Sequence, residues 1–332
     1  MKKIVKYPLI GCASLLSIIV ILALGGLVYW NHLMSAAGLK EDWNEKDGTI
    51  IENLAYGNLP DNNFDLYIPA KASKEIPQAL MLFIHGGSWV GGDKGEEVFA
   101  CRRYAKEGYF TATMSYTLAA SNEKASIMSM LDEIQACITR IKEYTDSLGY
   151  HVERMATSGI SAGGHLALLY ALKCYDQSPI PVVFVAERVG PFDLTKLFDV
   201  PEDKIDEIAR SLKEGKPSKN MDEIDALIYM TSGQKMTKHM YTKAIIDSLL
   251  LTASPVTYVT SRSVPGVFAY GAKDEIVAPV QAHLLQETYK RLNIPHSFFL
   301  FPNSNHFLGS DPEHTDQYIA EVKKYCKKYF GY

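Results

Sequence analysis

The chain has 332 residues, of which 47% are hydrophobic and 22% charged, and its formal net charge is −4. This composition is that of a globular protein and excludes a disordered or fibrous chain. No basic stripe is present to neutralise phosphates, so the charge argues against a nucleic-acid partner. The length allows one large α/β domain or two smaller ones.

The chain begins with an apolar segment, because residues 7–30 carry no charged side chain. As a helix this run would be about 36 Å long, enough to cross a bilayer core of about 30 Å. Three lysines precede the run and three carboxylates follow it, which places the N-terminus in the cytoplasm and the rest outside. We therefore predict a transmembrane signal anchor within residues 1–37 and an extracytoplasmic domain over residues 38–332.

A cleavable signal peptide is the alternative for this segment, because Ser35, Ala36 and Ala37 offer the small residues of a cleavage site. The apolar run is longer than the roughly 7–15 residues of a secretory core, which favours the uncleaved anchor. Cys12 follows a lipobox-like sequence but opens the apolar run instead of closing it. Both the anchor and the cleaved signal export the domain, and a cleaved signal would leave it secreted.

From about residue 50 onward, short β-branched or aromatic runs alternate with amphipathic helical runs. Strands are predicted at residues 64–68, 80–84, 110–116, 155–158, 182–186, 267–270 and 297–301. Helices are predicted at residues 96–107, 124–148, 162–174, 280–292 and 315–329. Repeated strand–helix units predict an α/β fold with a doubly wound, mostly parallel sheet, whose functional loops lie at the carboxyl ends of the strands.

Residues from about 195 to 251 depart from this rhythm, because they contain no strand pattern and are rich in Lys, Glu and Asp. A helical insertion of this size after a strand predicts a cap, although a solvated helical excursion without a gating role fits the same pattern. The four cysteines beyond Cys12 are widely spaced and form no C-x-x-C pattern, so no zinc or redox site is predicted. Buried free thiols are expected, and a disulfide is left open.

A candidate nucleophile lies in Gly159-Ile160-Ser161-Ala162-Gly163, which fits the pattern G-x-S-x-G. The pentapeptide alone is a weak signal, but here it follows a predicted strand and precedes a predicted helix. A sharp strand-to-helix turn projects the Ser161 hydroxyl above the sheet, and the flanking glycines relieve crowding in the turn. A glycine-rich turn also follows the strand at 80–84, where free N–H groups, joined by that of Ala162, could bind an oxyanion.

A serine nucleophile needs a base, and a base is oriented by a carboxylate. Among nine histidines, His306 is the candidate base because its loop follows the strand at 297–301. Asp274 follows the strand at 267–270 and is the candidate acid, with its neighbour Glu275 and the earlier Asp193 as alternatives. The order serine, acid, histidine along the chain is that of the α/β-hydrolase fold.

Taken together, these motifs resemble the α/β-hydrolase carboxylesterases related to hormone-sensitive lipase and their BD-FAE-like relatives. The resemblance extends over roughly residues 53–330 and includes the segments at 65–69, 85–87, 161–167, 253–255, 271–279 and 306–307. It implies Ser161 as nucleophile, Asp274 as acid and His306 as base, with the N–H groups of Gly87, Ser88 and Ala162 as oxyanion donors. Ser88 stands where hormone-sensitive-lipase relatives have a third glycine, which weakens any transfer of substrate preference.

The sequence therefore predicts a membrane-tethered serine carboxylesterase that hydrolyses short-chain esters and needs no cofactor or metal. The ester could belong to a small molecule or be linked to a polysaccharide, and the oligomeric state is left open. An exopeptidase or an amide or formamide hydrolase could use the same three residues. A hydrolase fold without activity that serves as a binding protein is the alternative from another class.

Overall fold

A computed structural model describes residues 41–215 and 218–331 of the chain. The predicted signal anchor at residues 1–37 lies outside the described residues. Within the two described ranges, no helix is both long enough and apolar enough to cross a membrane.

In the described ranges, eight strands form one sheet in the order β1-β2-β4-β3-β5-β6-β7-β8. The strands are β1 Gly48–Ala55, β2 Asn63–Pro69, β3 Gln78–Ile84, β4 Phe110–Met114, β5 Val152–Ile160, β6 Val182–Arg188, β7 Gly266–Gly271 and β8 His296–Phe301. Strand β2 pairs antiparallel with β1 and β4, and all other neighbours are parallel. The predicted mostly parallel sheet is therefore confirmed.

Helices cover both faces of this sheet, because parallel strands need crossover connections. In the described part of the chain they are α1 Val98–Glu107, α2 Ile127–Ser147, α3 Ala162–Lys173, α4 Leu194–Phe198, α5 Glu202–Glu214, α6 Lys219–Ser232, α7 Lys243–Thr252, α8 Val280–Arg291 and α9 Pro312–Phe330. Buried side chains of α1 and α9 join one core cluster, and those of α2, α3 and α8 join the other. The doubly wound arrangement is what the alternating pattern predicted.

Sequence reasoning missed β1, an edge strand in which no residue is fully buried. A half-exposed edge strand lacks the continuous apolar run that marks the central strands. The strand predicted at residues 110–116 ends at Met114, two residues earlier. The last helix starts at Pro312 rather than at 315, since proline is well suited to the first helical position.

The region predicted as a helical insertion holds α4, α5, α6 and α7, all between β6 and β7. Helix α6 packs against α2 and α7, so the insertion rests on the helical layer of the main domain. Its helical character agrees with the prediction, whereas a gating role stays a prediction. The four described cysteines are free thiols, and three of them are buried, as expected.

Candidate active site

Ser161 occupies a strained turn between β5 and α3, with φ 56° and ψ −123°. A left-handed φ is unusual for a residue with a side chain and marks a conformation that its surroundings enforce. A Cβ atom at Gly163 would lie 2.0 Å from the Ile84 carbonyl oxygen, and one at Gly159 would lie 2.4 Å from the backbone of Gly163. Both glycines are therefore required for β3, β5 and α3 to meet beneath the serine.

His306 lies in the loop after β8 and reaches back over the sheet to Ser161. Its Nε2 atom is 2.8 Å from the Ser161 Oγ atom, and its Nδ1 atom is 2.8 Å from the Asp274 Oδ2 atom. A carboxylate only accepts hydrogen bonds, so the Nδ1–H group donates to Asp274 and the Nε2 lone pair faces the serine hydroxyl. This arrangement can remove a proton from Ser161.

Asp274 is oriented by the backbone of its own loop after β7. Its Oδ1 atom accepts hydrogen bonds from the N–H groups of Ile276 (2.9 Å) and Val277 (2.8 Å), which leaves Oδ2 for His306. The carboxylate is buried. Of the two alternative acids, Glu275 is exposed, and Asp193 caps α4 by accepting the N–H group of Thr195 at 2.9 Å. The structure thus brings Asp274, and neither alternative, to His306.

The acid loop and the histidine loop are also joined to each other. The Lys273 N–H group donates to the Ser304 carbonyl oxygen at 3.0 Å. A Cβ atom at Gly271 would lie 2.4 Å from the Asn305 carbonyl oxygen, so glycine permits the close approach at this point. The separation between Asp274 and His306 is therefore fixed by backbone contacts.

The loop after β3, which the sequence assigned to the oxyanion donors, forms one left-handed turn. Gly87, Ser88 and Trp89 have φ values of 100°, 53° and 62°, and the N–H groups of Val90 and Gly91 donate to the Gly87 carbonyl oxygen at 3.0 and 2.9 Å. These bonds leave the N–H groups of Ser88 and Trp89 unused, as at the start of a helix. A Cβ atom at Gly87 would lie 2.1 Å from the Gly91 carbonyl oxygen, so this position requires glycine.

The predicted donors lie in two loops that touch each other beside Ser161. A Cβ atom at Gly86 would lie 3.5 Å from the Ser161 Cβ atom, which places the left-handed turn next to the nucleophile. Ala162 is the first residue of α3, and its N–H group has no partner within that helix. Sequence reasoning missed the left-handed conformation of Ser88 and Trp89, because in this turn only Gly87 favours positive φ.

Two other histidines near the site serve to hold loops in place. The His85 ring stacks on Tyr116 with a centroid distance of 4.2 Å, and the His165 Nε2–H group donates to the Ala253 carbonyl oxygen at 2.8 Å. Burial lowers the pKa of each imidazole to about 4, so both are neutral near pH 7. These contacts give both histidines a bracing role instead of a catalytic one.

A largely buried ion pair, in which Glu97 is 4% and Arg188 17% exposed, connects two further segments around the site. The Arg188 Nη2 atom lies 2.7 and 2.9 Å from the two carboxylate oxygens of Glu97. Glu97 precedes α1, whereas Arg188 ends β6, and the Arg188 carbonyl oxygen accepts the Ser161 N–H group at 2.9 Å. Sequence reasoning did not find this pair, because its members are 91 residues apart and no local pattern joins them.

Comparisons with known proteins show which sequences the chain is similar to. The sequence profile of the BD-FAE family matches residues 64–289. Kynurenine formamidase of Salmo salar is 26% identical over 52% of this chain, and the match covers 57% of that protein. The probable isoprenylcysteine alpha-carbonyl methylesterase ICME of Oryza sativa subsp. japonica is 29% identical over 36% of this chain and 27% of its own length. The chain therefore spans between about a quarter and just over half of these two relatives.

Similarity to solved structures extends over more of the chain. The butyrate-bound esterase Est2 of Thermogutta terrifontis superimposes with a TM-score of 0.63 at 15% identity, over 85% of this chain and 94% of that one. At this level of identity the similarity shows the fold, which is that of the α/β-hydrolases.

Proposed function

Because the chain belongs to the BD-FAE family of carboxylic ester hydrolases, we propose that it is a serine carboxylesterase acting on short-chain esters. The observation that carries this proposal is the continuous set of hydrogen bonds from Ser161 through His306 to Asp274, each 2.8 Å long. A buried carboxylate, an imidazole and a serine hydroxyl in this order form the arrangement that activates serine for attack on a carbonyl.

In the proposed mechanism His306 takes the proton from Ser161 while the serine oxygen attacks the ester carbonyl carbon. Asp274 keeps the Nδ1–H tautomer and stabilises the imidazolium that forms. The N–H groups of Gly87, Ser88 and Ala162 are proposed to bind the tetrahedral oxyanion. His306 then gives the proton to the leaving alkoxide. In the second half of the reaction His306 takes a proton from water as the water attacks the acyl-enzyme, and it returns that proton to the Ser161 oxygen as the carboxylic acid leaves.

The test of this function compares Ser161→Ala with Ser147→Ala, a matched control at an exposed position, in the full chain. With p-nitrophenyl acetate and butyrate as substrates, we expect Ser161→Ala to lose kcat by about 10⁴-fold or more and the control to match the wild type. A fluorophosphonate probe should label the wild type and the control only. Full activity in Ser161→Ala would contradict the proposal, and so would an unlabelled wild type.

A formamide or amide hydrolase is the second candidate, because the salmon kynurenine formamidase is one of the similar proteins. The same serine, histidine and acid serve acyl transfer to either an oxygen or a nitrogen leaving group. Ratios of kcat/KM for p-nitrophenyl acetate, an N-formyl aniline and an aminoacyl anilide separate the candidates. A higher kcat/KM for the formyl compound than for the ester would favour the formamidase.

We also propose that residues 1–37 anchor the enzyme in a membrane with the catalytic domain outside the cytoplasm. The support is the uncharged run at 7–30, preceded by lysines and followed by carboxylates. Membrane fractionation and protease treatment of intact cells test this location, and mass spectrometry of the mature N-terminus separates anchor from cleaved signal. Recovery of the full-length chain in the soluble fraction would contradict an anchor.

Helices α4–α7 are proposed to act as a cap that limits the size of the acyl group. The support is one contact: the Trp89 ring, which follows the donors Gly87 and Ser88, lies 6.4 Å from the ring of Phe198 in α4. Phe198→Ala should therefore shift the preferred acyl chain toward greater length while activity on the acetate ester changes little. An unchanged chain-length profile would contradict the cap role of this helix.

A further inference from the structure

The backbone of Ser161 is held by a strained turn at the end of β6. The Ser161 N–H group donates to the Arg188 carbonyl oxygen at 2.9 Å. The next residue, Val189, has a φ of 48°, which is a genuine outlier for a β-branched side chain. A conformation of this kind persists only where neighbouring groups enforce it. The position of the nucleophile therefore depends on whatever holds this turn in place.

Glu187 holds the turn from inside the fold. It is fully buried and pairs in register with Gly159 on the nucleophile strand. Its Oε1 atom accepts a short hydrogen bond from the Gly190 N–H group, and the Tyr270 hydroxyl donates to the Gly190 carbonyl oxygen at 2.6 Å. The peptide groups on both sides of Gly190 are thus held by buried side chains, immediately after the strained Val189.

The same carboxyl also contacts the helix that follows the nucleophile. A Cβ atom at Gly164 would lie 3.1 Å from the Glu187 Cγ atom, and one at Gly190 would lie 2.6 Å from Glu187 Oε1 and 2.6 Å from the His165 backbone nitrogen. Glu187 therefore fills the space between α3 and the turn at Gly190. A smaller side chain would leave a cavity between the two segments that position Ser161.

We propose that Glu187 is a positioning residue for Ser161, which acts by fixing the strained turn whose Arg188 carbonyl group holds the nucleophile. This inference rests on the proposed role of Ser161 as nucleophile. The carboxyl touches neither a substrate nor a reacting atom in this scheme, and its effect passes through the backbone of residues 188–190.

The charge state of Glu187 bears on how firmly the turn is held. The ionisable groups that act electrostatically on it are Arg188, Tyr270, Tyr289 and Tyr318, and the Arg188 guanidinium is itself paired with Glu97. Burial raises the pKa of Glu187 to about 8, so the neutral form predominates at pH 7. Above pH 8 the ionised carboxylate is buried without a cation of its own, which costs free energy and destabilises the turn that it holds. A turn that is held less firmly misplaces Ser161 and lowers kcat.

The experiment measures kcat and KM separately for the full chain with p-nitrophenyl acetate between about pH 6 and about pH 9. The variants are Glu187→Ala, Glu187→Gln and, as a matched control, Glu153→Gln at the exposed start of the same nucleophile strand. Glutamine keeps an acceptor for the Gly190 N–H group but cannot ionise, whereas alanine removes the acceptor and leaves a cavity.

For Glu187→Ala we expect kcat to fall about 10- to 100-fold, because a small misplacement of a nucleophile has an effect of this size, with KM changed less than about threefold. Glu187→Gln should restore kcat at pH 6–7 and should lack the decrease that the wild type shows above pH 8. Glu153→Gln should match the wild type throughout. Circular dichroism establishes that each variant is folded. If Glu187→Ala does not fold, the comparison of Glu187→Gln with the wild type decides the question.

Two results would overturn the inference: a folded Glu187→Ala variant with wild-type kcat, or a Glu187→Gln variant with the same decrease in kcat above pH 8 as the wild type. Failure of the proposed function has a different signature. In that case Ser161→Ala keeps its activity, whatever the Glu187 variants do.

Discussion

The carboxyl edge of the sheet and the helical insertion between β6 and β7 use the same kinds of polar side chain in different ways. At the sheet edge, Asp274 accepts two backbone N–H groups and Glu97 binds Arg188 in a buried pair. In the insertion, Lys243 and Asp247 pair on the surface of one helix, each 30% exposed. The edge carboxylates are therefore buried and held by backbone N–H groups or by a second segment of the fold, whereas the Lys243–Asp247 pair depends on one helix alone.

The largest effect that tests this comparison is expected at the acid, Asp274. Asp274→Asn should lower kcat by about 10⁴-fold, because an amide in this position stabilises the wrong tautomer of the histidine. KM should change little, since the acid contacts no substrate in the proposed mechanism. Kinetics with p-nitrophenyl acetate measure both constants.

The matched control for this prediction is Asp193→Asn, which alters the alternative acid that instead caps the first helix of the insertion. We expect its kcat to remain within about threefold of the wild type. A loss confined to Asp193→Asn would assign the acid to the insertion boundary and contradict the geometry at Asp274.

The next largest effect is on stability. Glu97→Ala should lower the free energy of unfolding by about 3–5 kcal/mol, because it leaves the Arg188 guanidinium buried without its partner. Urea denaturation measures this loss. The double variant Glu97→Leu/Arg188→Met removes both charges and should recover most of the stability. A loss below about 1 kcal/mol in Glu97→Ala would place this pair in the same class as the surface pairs of the insertion.

These two residues also show where prediction from sequence ends. Ser161, His306 and Asp274 could be proposed because each stands in a local pattern, just after a strand and within a turn or loop. Glu97 and Arg188 carry no such pattern, since their contact exists only after β6 has paired in the sheet. Glu187 is hidden for the same reason: its role depends on a left-handed turn at Val189, and nothing in a valine predicts positive φ.

The pH dependence of stability gives a third prediction, which again concerns the sheet edge. Burial lowers the pKa of His85 and His165 to about 4, so the stability they allow is present above about pH 6.5 and is lost as the pH falls toward 4. Burial raises the pKa of Glu96 to about 7 and of Glu187 to about 8. The contribution of these two carboxyl groups to the free energy of unfolding is complete below about pH 4.5 and is lost as the pH rises through their pKa values in the folded protein.

Between pH 6.5 and 8, therefore, the two carboxyl groups are the members of this set whose titration changes the free energy of unfolding. The wild type should lose stability over this pH range, whereas Glu187→Gln should not. The free energy of unfolding of Glu187→Gln minus that of the wild type should therefore increase with pH, by up to about 1.4 kcal/mol per pH unit. Urea denaturation at several pH values measures the difference, and Glu153→Gln serves as the exposed control. A difference that stays constant across this window would show that Glu187 does not titrate there.

The smallest effect belongs to the insertion. Asp247→Asn should lower the free energy of unfolding by no more than about 0.5 kcal/mol, because the pair with Lys243 is partly exposed and lies within one helix. The lysine precedes the aspartate by four residues, which is also the weaker orientation for such a pair. Urea denaturation at low salt measures the loss, and added salt should abolish it. A loss above about 1 kcal/mol that salt does not reduce would place this pair in the same class as the pair of Glu97 with Arg188 at the sheet edge and would remove the contrast between the two regions.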